Sequence, residues 1–174
     1  NRYNPWWDGK PIPESTTSQF KRGDFYTVKT NLEKREIVSI MGPRRVGKTI
    51  LIHQLIQDLL DSKIDSKRIL YLSVDEVELN KGGAELKHII EAYFKYIIKK
   101  TFDSLEETHY LFLDEIQELP HWEKILKNWY DLGYKIKFII SGSSSIWISK
   151  GTEESLLGRI KTSIMMPLKF SEVL

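Results

Sequence analysis

The segment from Gly42 to Thr49 constrains the fold of this chain more than any other. It reads Gly-Pro-Arg-Arg-Val-Gly-Lys-Thr, two glycines separated by four residues and followed at once by Lys and Thr. An apolar run, 37–41, precedes it. Apolar residues at helical spacing follow it: Ile50, Leu51, Ile52, Leu55, Ile56, Leu59 and Leu60. A strand, a glycine-rich turn and a helix in this order are typical of a phosphate-binding loop. The alternative, an ordinary glycine-rich turn with an exposed lysine, is disfavoured by the two flanking elements.

The residue types in this loop fit the chemistry of a bound nucleotide. Glycines let the backbone bend until several N–H groups point at the phosphates, and the helix N-terminus adds its positive dipole. Lys48 would reach the β- and γ-phosphates, and Thr49 would give its hydroxyl to Mg²⁺. Arg44 and Arg45 are expected to point outward, with no catalytic part. The predicted nucleotide contacts are Gly42, Pro43, Arg44, Arg45, Val46, Gly47, Lys48, Thr49 and Ile50.

An acidic pair at the end of another apolar segment forms the second predicted site. Tyr110-Leu111-Phe112-Leu113 leads directly into Asp114 and Glu115. Ligands of open α/β sheets gather at the carboxyl ends of the strands. Asp114 can therefore hold Mg²⁺ through its waters beside Thr49, and Glu115 can act as general base on the attacking water. The alternative is a surface acidic pair in a chain with 24 carboxylates, but the strand end and the nearby loop favour a site.

Composition limits the class of protein and leaves the partner open. The chain has 174 residues, 41% hydrophobic and 29% charged, which suits one globular domain with a sizeable core. A net charge of +2 and a pI near 8.6 are too mild to indicate nucleic acid or an anionic membrane. There are no cysteines, and no apolar run approaches the roughly 18 residues of a spanning helix. We expect a soluble cytoplasmic protein with no membrane partner.

Strand and helix patterns alternate along the chain, which predicts a mainly parallel sheet. Residues 1–25 are predicted to form an irregular arm, and residues 26–174 the core. Predicted strands cover 26–30, a short edge strand, and then 35–41, 68–74, 110–113, 135–140 and 160–166. Helices are predicted from 49 to about 61, over 86–98 with its apolar face toward the core, and from Pro120.

Both ends of the chain carry an expectation. Trp6 and Trp7 in the arm either stack on an adenine base or pin the arm to the core, and we favour pinning. The chain begins at Asn1 and ends at Leu174 without the composition of a tail, so we expect a piece of a longer protein.

With these residues in view, the chain resembles the archaeal and bacterial AAA+ ATPases related to the STAND class of regulatory NTPases. The resemblance spans residues 37–174 and is carried by Gly42 to Thr49, Tyr110 to Gln117, Trp122, the Ser-Gly-Ser-Ser-Ser run from Ser141, Leu157-Gly158-Arg159, and Pro167-Leu168 with Phe170 and Glu172. The Asn4-Pro5-Trp6-Trp7 opening is similar to members from hyperthermophilic archaea. The resemblance implies a three-layer P-loop α/β fold with a mainly parallel five-stranded sheet in the order 5-1-4-3-2. It also implies an ATP-dependent module, truncated here before the helical lid, with its second sensor arginine, and a C-terminal domain.

The same resemblance suggests roles for two further residues. Ser143, with Ser141 and Ser144 as alternatives, would sense the γ-phosphate from the end of the fourth strand. Each serine is otherwise part of a turn that caps the next helix. Arg159 would contact the γ-phosphate bound by a neighbouring subunit of a homo-oligomer, or would pair with a carboxylate.

Several functions follow from these sites. Mg²⁺-dependent ATP hydrolysis that drives a change in an unidentified protein partner is favoured, because Glu115 supplies a base. A slow nucleotide switch or scaffold and a DNA-remodelling motor are the alternatives, and no basic patch interleaved with aromatic residues supports the motor. A phosphotransferase would not explain Glu115 beside Asp114. The guanine-binding motif Asn-Lys-x-Asp does not occur, so ATP or ADP is favoured over GTP.

Overall fold

The computed structural model describes residues 3–74, 86–143 and 156–168. The helices are α1 (Gly23–Leu32), α2 (Lys48–Asp61), α3 (Leu86–Ala92), which continues into a π-helical segment (Tyr93–Ile98), and α4 (Trp122–Leu132). The strands are β1 (Ile37–Met41), β2 (Ile69–Ser73), β3 (His109–Asp114), β4 (Ile136–Gly142) and β5 (Ile160–Ile164). Short 3₁₀ turns cover Pro5–Asp8, Glu14–Thr16, Ser66–Arg68, Phe102–Ser104 and Ile116–Glu118. Within these described ranges, we find no helix with both the length and the apolar character needed to cross a membrane.

The five strands form one parallel sheet in the order β2-β3-β4-β1-β5. Read from the other edge, this is the predicted order 5-1-4-3-2, which is confirmed. Met41 lies opposite Gly142, and Leu113 lies opposite Ile140. The carboxyl ends of β1, β3 and β4 therefore meet, which brings together the loop after β1, Asp114 and Glu115 at the end of β3, and Ser141 near the end of β4.

Side chains alternate across the sheet and build a core on each face. One core contains residues of α1, α2, the arm and one face of β1, β3 and β4: Trp6, Ile12, Phe25, Val28, Leu51, Ile52, Leu55, Ile56, Val38, Ile40, Phe112 and Ile139. The other contains residues of α3, the π-helical segment, α4 and the opposite face of β3 and β4: Leu86, Ile90, Tyr93, Phe94, Leu126, Trp129, Leu111, Leu113, Phe138 and Ile140. The sheet is thus the middle of three layers, and the apolar face predicted over 86–98 packs in the core.

The edge strand predicted over Tyr26–Thr30 is wrong, because these residues lie in α1. Phe25, Val28 and Leu32 are buried at a spacing of three and four residues, the period of a helix face. The helix also crosses the expected boundary at residue 25 between arm and core, so the arm in the structure is residues 3–22. The helix predicted from Pro120 starts instead at Trp122, since His121 has a left-handed backbone with φ of 58°.

The two tryptophans of the arm lie against β2, the strand at the side of the sheet farthest from the loop. The indole N–H groups of Trp6 and Trp7 both donate to the carbonyl oxygen of Ile69, at 3.0 and 2.8 Å. The Trp7 ring also stacks on Tyr93, with 5.7 Å between ring centroids. Ile69 opens β2, so both indoles lie at the amino-terminal edge of the strands. They pin the arm to the core, and the stacking on adenine considered above is wrong.

Candidate functional site

The loop between β1 and α2 closes around the ammonium group of Lys48. That side chain is only 4% exposed, and its Nζ donates to the carbonyl oxygens of Gly42 and Pro43, each at 3.1 Å. Arg45 and Gly47 adopt left-handed backbone conformations, with φ of 65° and 100°. A Cβ on Gly42 would lie 2.4 Å from the carbonyl oxygen of Met165, so only glycine fits there. The side chains of Arg44 and Arg45 are exposed.

The carboxylate of Asp114 accepts hydrogen bonds from three hydroxyl groups. Its Oδ2 accepts from Thr49 Oγ1 at 2.7 Å and from Tyr71 Oη at 3.1 Å. Its Oδ1 accepts from Ser141 Oγ. Asp114 is 2% exposed, and a buried carboxylate is stable only when its oxygens are paired in this way. Thr49 and Asp114, the two residues assigned to the metal from sequence, thus lie in direct contact.

Glu115 faces the loop from the end of β3. Its backbone is left-handed, with φ of 54°, and its N–H donates to Ser141 Oγ at 3.3 Å. The carboxylate accepts from Gln117 Nε2 at 2.5 Å and lies 3.6 Å from Lys48 Nζ. The Gln117 amide oxygen is buried and has no hydrogen-bond partner among the described residues. Arg44, Arg45, Glu115 and Glu118 line the opening between the loop and the end of β3.

The two residues suggested by resemblance lie in different places. Ser143 is half-buried just beyond β4, at the same edge of the sheet as the loop. Ser144 lies outside the described residues. Arg159 precedes β5, and its carbonyl accepts from the N–H of Ile37, the first residue of β1, at 2.8 Å. Arg159 therefore lies at the amino-terminal ends of the strands, whereas its own phosphate loop lies at their carboxyl ends.

The guanidinium of Arg159 forms a two-point ion pair with Asp131 at the end of α4. Nε and Nη2 lie 2.7 and 3.1 Å from the two carboxylate oxygens. This hydrogen-bonded pair lowers the pKa of Asp131 and raises the pKa of Arg159. The contact is the carboxylate pairing that the sequence left open as an alternative.

An open apolar cavity of about 210 Å³ lies beside the loop. Its walls include the arm residues Phe20 and Arg22, and also Ile50, Gln54 and Leu168. The Gln54 amide donates to the carbonyls of Ser18 and Phe20 at 2.7 and 2.8 Å, so α2 holds the arm over the loop. Phe20 and Leu168 are each 53% exposed, so both present apolar surface to this cavity. Sequence reasoning missed this contribution of the arm because it assigned the arm's aromatic contact to the tryptophans.

The oxygen groups of the site fit Mg²⁺ better than they fit a metal ion whose ligands are all protein side chains. Among the described residues, no group of three or more His, Cys, Asp or Glu could hold a metal ion. The Thr49 hydroxyl and the Asp114 carboxylate supply two hard oxygen groups 2.7 Å apart. Mg²⁺ is commonly bound by one or two such groups together with water and substrate phosphates.

A family model described as an AAA domain matches residues 34–174, most of the chain. The chain belongs to the AAA domain family. This membership confirms the AAA+ resemblance and supports a nucleotide-binding domain of the ATPase type. The match covers the whole sheet of the AAA domain together with α2, α3 and α4, and it begins after α1.

Two relatives show that this AAA domain occurs within longer chains. The uncharacterized protein MJ1637 of Methanocaldococcus jannaschii is 33% identical over 160 residues, which cover 88% of this chain and 32% of that protein. An uncharacterized protein of Haemophilus influenzae is 31% identical over 158 residues, which cover 90% of this chain and 34% of that protein. The chain thus spans about a third of the length of these relatives.

A solved structure shows the same fold at greater distance. The Saccharomyces cerevisiae Hsp104–ADP complex aligns with a TM-score of 0.65 and 21% identity, over 97% of this chain and 24% of that one. At this identity the likeness concerns the fold alone. The P-loop sheet order derived above agrees with it.

Proposed function

We propose that this AAA domain binds ATP with Mg²⁺ and hydrolyses it to ADP and phosphate. The proposal rests on four side chains that meet at the carboxyl ends of the strands. Thr49 Oγ1 lies 2.7 Å from Asp114 Oδ2, and Lys48 Nζ lies 3.6 Å from Glu115 Oε1. These side chains would supply what phosphoryl transfer to water requires: a cation, two metal-binding oxygens and a base.

Each of these residues would have a separate role. Lys48 would exchange its contacts with the Gly42 and Pro43 carbonyls for the β- and γ-phosphates. Thr49 and Asp114 would hold Mg²⁺, which when bound neutralises charge on the phosphates. Glu115 would accept the proton of the attacking water. Ser143 would sense the γ-phosphate, and Ser141 would orient the Asp114 carboxylate by its hydrogen bond to Oδ1.

The nucleoside would occupy the apolar cavity beside the loop. Phe20, Ile50 and Leu168 offer apolar surface to a base, while Gln54 holds the arm that forms one wall. Bases bind well against aromatic and aliphatic side chains. Burying the exposed Phe20 and Leu168 side chains against a base would also remove apolar surface from water.

Hydrolysis itself has a direct test. Incubation of the protein with ATP and Mg²⁺ is expected to release ADP and phosphate, and chelation of the metal is expected to stop the release. Bound ATP that stays intact through many hours, at every protein concentration tried, would contradict turnover by this chain.

Arg159 would act on a nucleotide bound by another copy of the chain. It lies at the edge of the sheet opposite its own loop, so only a neighbour's γ-phosphate could come within its reach. The Asp131 ion pair would then open on assembly, and the freed guanidinium would stabilise the transition state. Such turnover would drive a conformational change in a homo-oligomer or an unidentified protein partner.

A mixing experiment tests this shared site. Lys48→Ala and Arg159→Ala are each expected to lose phosphate release when assayed alone. In the mixture, the intact loop of an Arg159→Ala subunit meets the intact arginine of a Lys48→Ala subunit, so part of the activity should return. Full activity of Arg159→Ala alone would instead mean that the arginine pairs with Asp131 and takes no part in hydrolysis.

A slow nucleotide switch is the second candidate. In the structure, the Glu115 carboxylate contacts Lys48 and Gln117, and Lys48 donates to a carbonyl of its own loop. A site with these internal contacts would bind ATP and turn it over rarely. The switch predicts that a Glu115→Gln variant keeps its full biological output while it binds ATP, whereas a hydrolysing machine loses that output.

A further inference from the structure

We propose that Tyr71 is a positioning residue for the carboxylate of Asp114, and that the arm, residues 3–22, holds Tyr71 in place. The inference rests on the proposed Mg²⁺–ATP function. The Tyr71 hydroxyl donates to Oδ2 of Asp114 at 3.1 Å, the same oxygen that accepts from Thr49 at 2.7 Å. Tyr71 is 6% exposed and lies on β2, beside β3 in the sheet. Tyr71 lies opposite Phe112 in the sheet. Asp114 follows Phe112 by two residues and so lies diagonally across from Tyr71, at a distance that a long side chain can span.

The backbone of Tyr71 is fixed from outside the sheet by one side chain of the arm. Among the described residues β2 is an edge strand, and no further strand there pairs with its outward N–H and C=O groups. Asn4 satisfies both groups of Tyr71: the Tyr71 N–H donates to Asn4 Oδ1 at 2.7 Å, and Asn4 Nδ2 donates to the Tyr71 carbonyl at 3.0 Å. Asn4 is 7% exposed. Its amide therefore takes the place of one residue of a sixth strand.

The ring of Tyr71 is fixed by a second contact that also leads to the arm. His53 of α2 packs against it, with 4.8 Å between ring centroids. His53 Nδ1 lies 3.1 Å from the carbonyl oxygen of Thr16 in the arm. His53 follows Thr49 by four residues, so the two side chains lie on one face of α2. The arm thus contacts both the backbone of Tyr71 and the side chain that packs on its ring.

These contacts predict a specific effect on the metal. If Thr49 and Asp114 hold Mg²⁺, the hydroxyl groups of Tyr71 and Ser141 would keep the Asp114 carboxylate in one orientation, and Tyr71 is the donor on the oxygen that faces Thr49. Loss of a hydrogen bond to a metal-site carboxylate commonly weakens metal affinity about 10-fold or more. The loop itself, and with it the binding of phosphates without metal, would be unchanged.

The test titrates Mg²⁺ against binding of a fluorescent ATP analogue to the whole chain. Tyr71→Phe should raise the half-saturating Mg²⁺ concentration about 10-fold and leave metal-free binding of the analogue unchanged. Tyr93→Phe is the matched control, because Tyr93 is also buried and its hydroxyl donates to the Lys67 carbonyl at 2.6 Å, beside the start of β2. It should leave the Mg²⁺ titration unchanged. Asn4→Ala should shift the titration in the same direction as Tyr71→Phe.

The outcomes separate this inference from the function on which it rests. If Mg²⁺ does not enhance analogue binding by the unsubstituted protein, the proposed function fails and the inference fails with it. If Mg²⁺ enhances binding equally in the unsubstituted protein and in Tyr71→Phe, the role of Tyr71 alone is overturned. A shift in Tyr71→Phe without one in Asn4→Ala overturns the role of the arm. A loss of folding in Tyr71→Phe, read from its circular dichroism, would show a structural hydroxyl and would also overturn the positioning role.

Discussion

The ammonium group of Lys48 lies 3.6 Å from Oε1 of Glu115, so the proposed phosphate ligand and the proposed base form an ion pair across the cleft. Lys48 is almost fully buried, while the Glu115 side chain keeps 21% of its surface exposed. A γ-phosphate that enters the loop would compete with Glu115 for the ammonium group. Nucleotide binding would thereby release the base toward the water that it is to activate.

Replacing Lys48 tests the loop. Lys48→Ala removes a charge-assisted contact to two phosphates, so affinity for ATP should fall about 10- to 100-fold. The matched control is Lys124→Ala, which removes an exposed lysine on α4 and should leave binding unchanged. Equilibrium binding of a fluorescent ATP analogue measures both. Equal affinity of Lys48→Ala and the unsubstituted protein would mean that phosphate does not bind in this loop.

Gly42 is predicted to tolerate no side chain. The Cβ of Gly42→Ala would meet the backbone oxygen of Met165 at 2.4 Å, and neither backbone can move without displacing the loop or the end of β5. We expect a loss of about 1–3 kcal/mol in the free energy of unfolding, together with weaker ATP binding. Gly23→Ala, at the start of α1, adds a Cβ with no atom within 4 Å and should be neutral. Urea unfolding compares the two, and an equally stable Gly42→Ala would contradict the close approach of the two segments.

The sequence predicts the parts of the site that are carried by short motifs. The loop and the pairing of Thr49 with Asp114 follow from glycine spacing and from acidic residues at a strand end, and the order of the sheet follows from the family resemblance. The contacts of Tyr71 and Ser141 with Asp114 could not be predicted in this way. The two residues are 43 and 27 residues from Asp114 along the chain, and their contacts depend on which strands are neighbours.

The same limit explains the error at α1. Tyr26, Thr27, Val28 and Thr30 favour a strand by local preference. Burial of Phe25, Val28 and Leu32 against the sheet and α2 stabilises a helix instead, and tertiary packing overrides a weak local preference. The roles of Ser143 and Arg159 remain predictions, since they depend on a bound nucleotide and on a neighbouring copy.

Lys137 is predicted to stabilise the fold from within the sheet. Its buried Nζ donates to the carbonyls of Asn31 at 2.8 Å, Lys34 at 2.6 Å and Glu36, so it joins β4 to the end of α1. Burial lowers the pKa of this amine to about 8. Lys137→Met would leave these carbonyls without their donor, and we expect a loss of about 1–3 kcal/mol in the free energy of unfolding.

Lys135→Met is the matched control for Lys137→Met. Lys135 also donates to a carbonyl, that of Glu106 at 2.6 Å, but its side chain is exposed, so water can replace the lost bond. Thermal unfolding should therefore show a lower midpoint for Lys137→Met alone. Equal midpoints for the two variants would contradict a stabilising role of the buried amine.

Acid is predicted to weaken the fold partly through His53. Burial lowers the pKa of His53 below its ordinary 6.5, so on acidification the unfolded chain binds a proton before the native chain does. Stability that is present above pH 6.5 is therefore lost as the pH falls toward the lower, folded-state pKa. His53→Gln should show a smaller loss between pH 7.5 and 5.5 in urea unfolding.

His109 provides an internal reference for the His53 prediction. Burial lowers the pKa of His109 as well, so it contributes a loss of the same sign, which should persist in His53→Gln. The variant should thus keep some acid sensitivity but lose the His53 share. An unchanged loss between pH 7.5 and 5.5 would contradict the contribution of His53.

Glu115 is proposed to activate water for ATP hydrolysis. The most direct measurement is phosphate release from Mg²⁺–ATP by Glu115→Gln, with ATP binding measured on the same protein. Glu118→Gln is the matched control, because Glu118 lines the same opening but is exposed and beyond the end of β3. Glu115→Gln is expected to bind ATP normally and to lose about 99% of its turnover, the roughly 10²-fold loss typical of removing a general base, while Glu118→Gln keeps its turnover. Turnover by Glu115→Gln at the rate of the unsubstituted protein would mean that Glu115 is not the base.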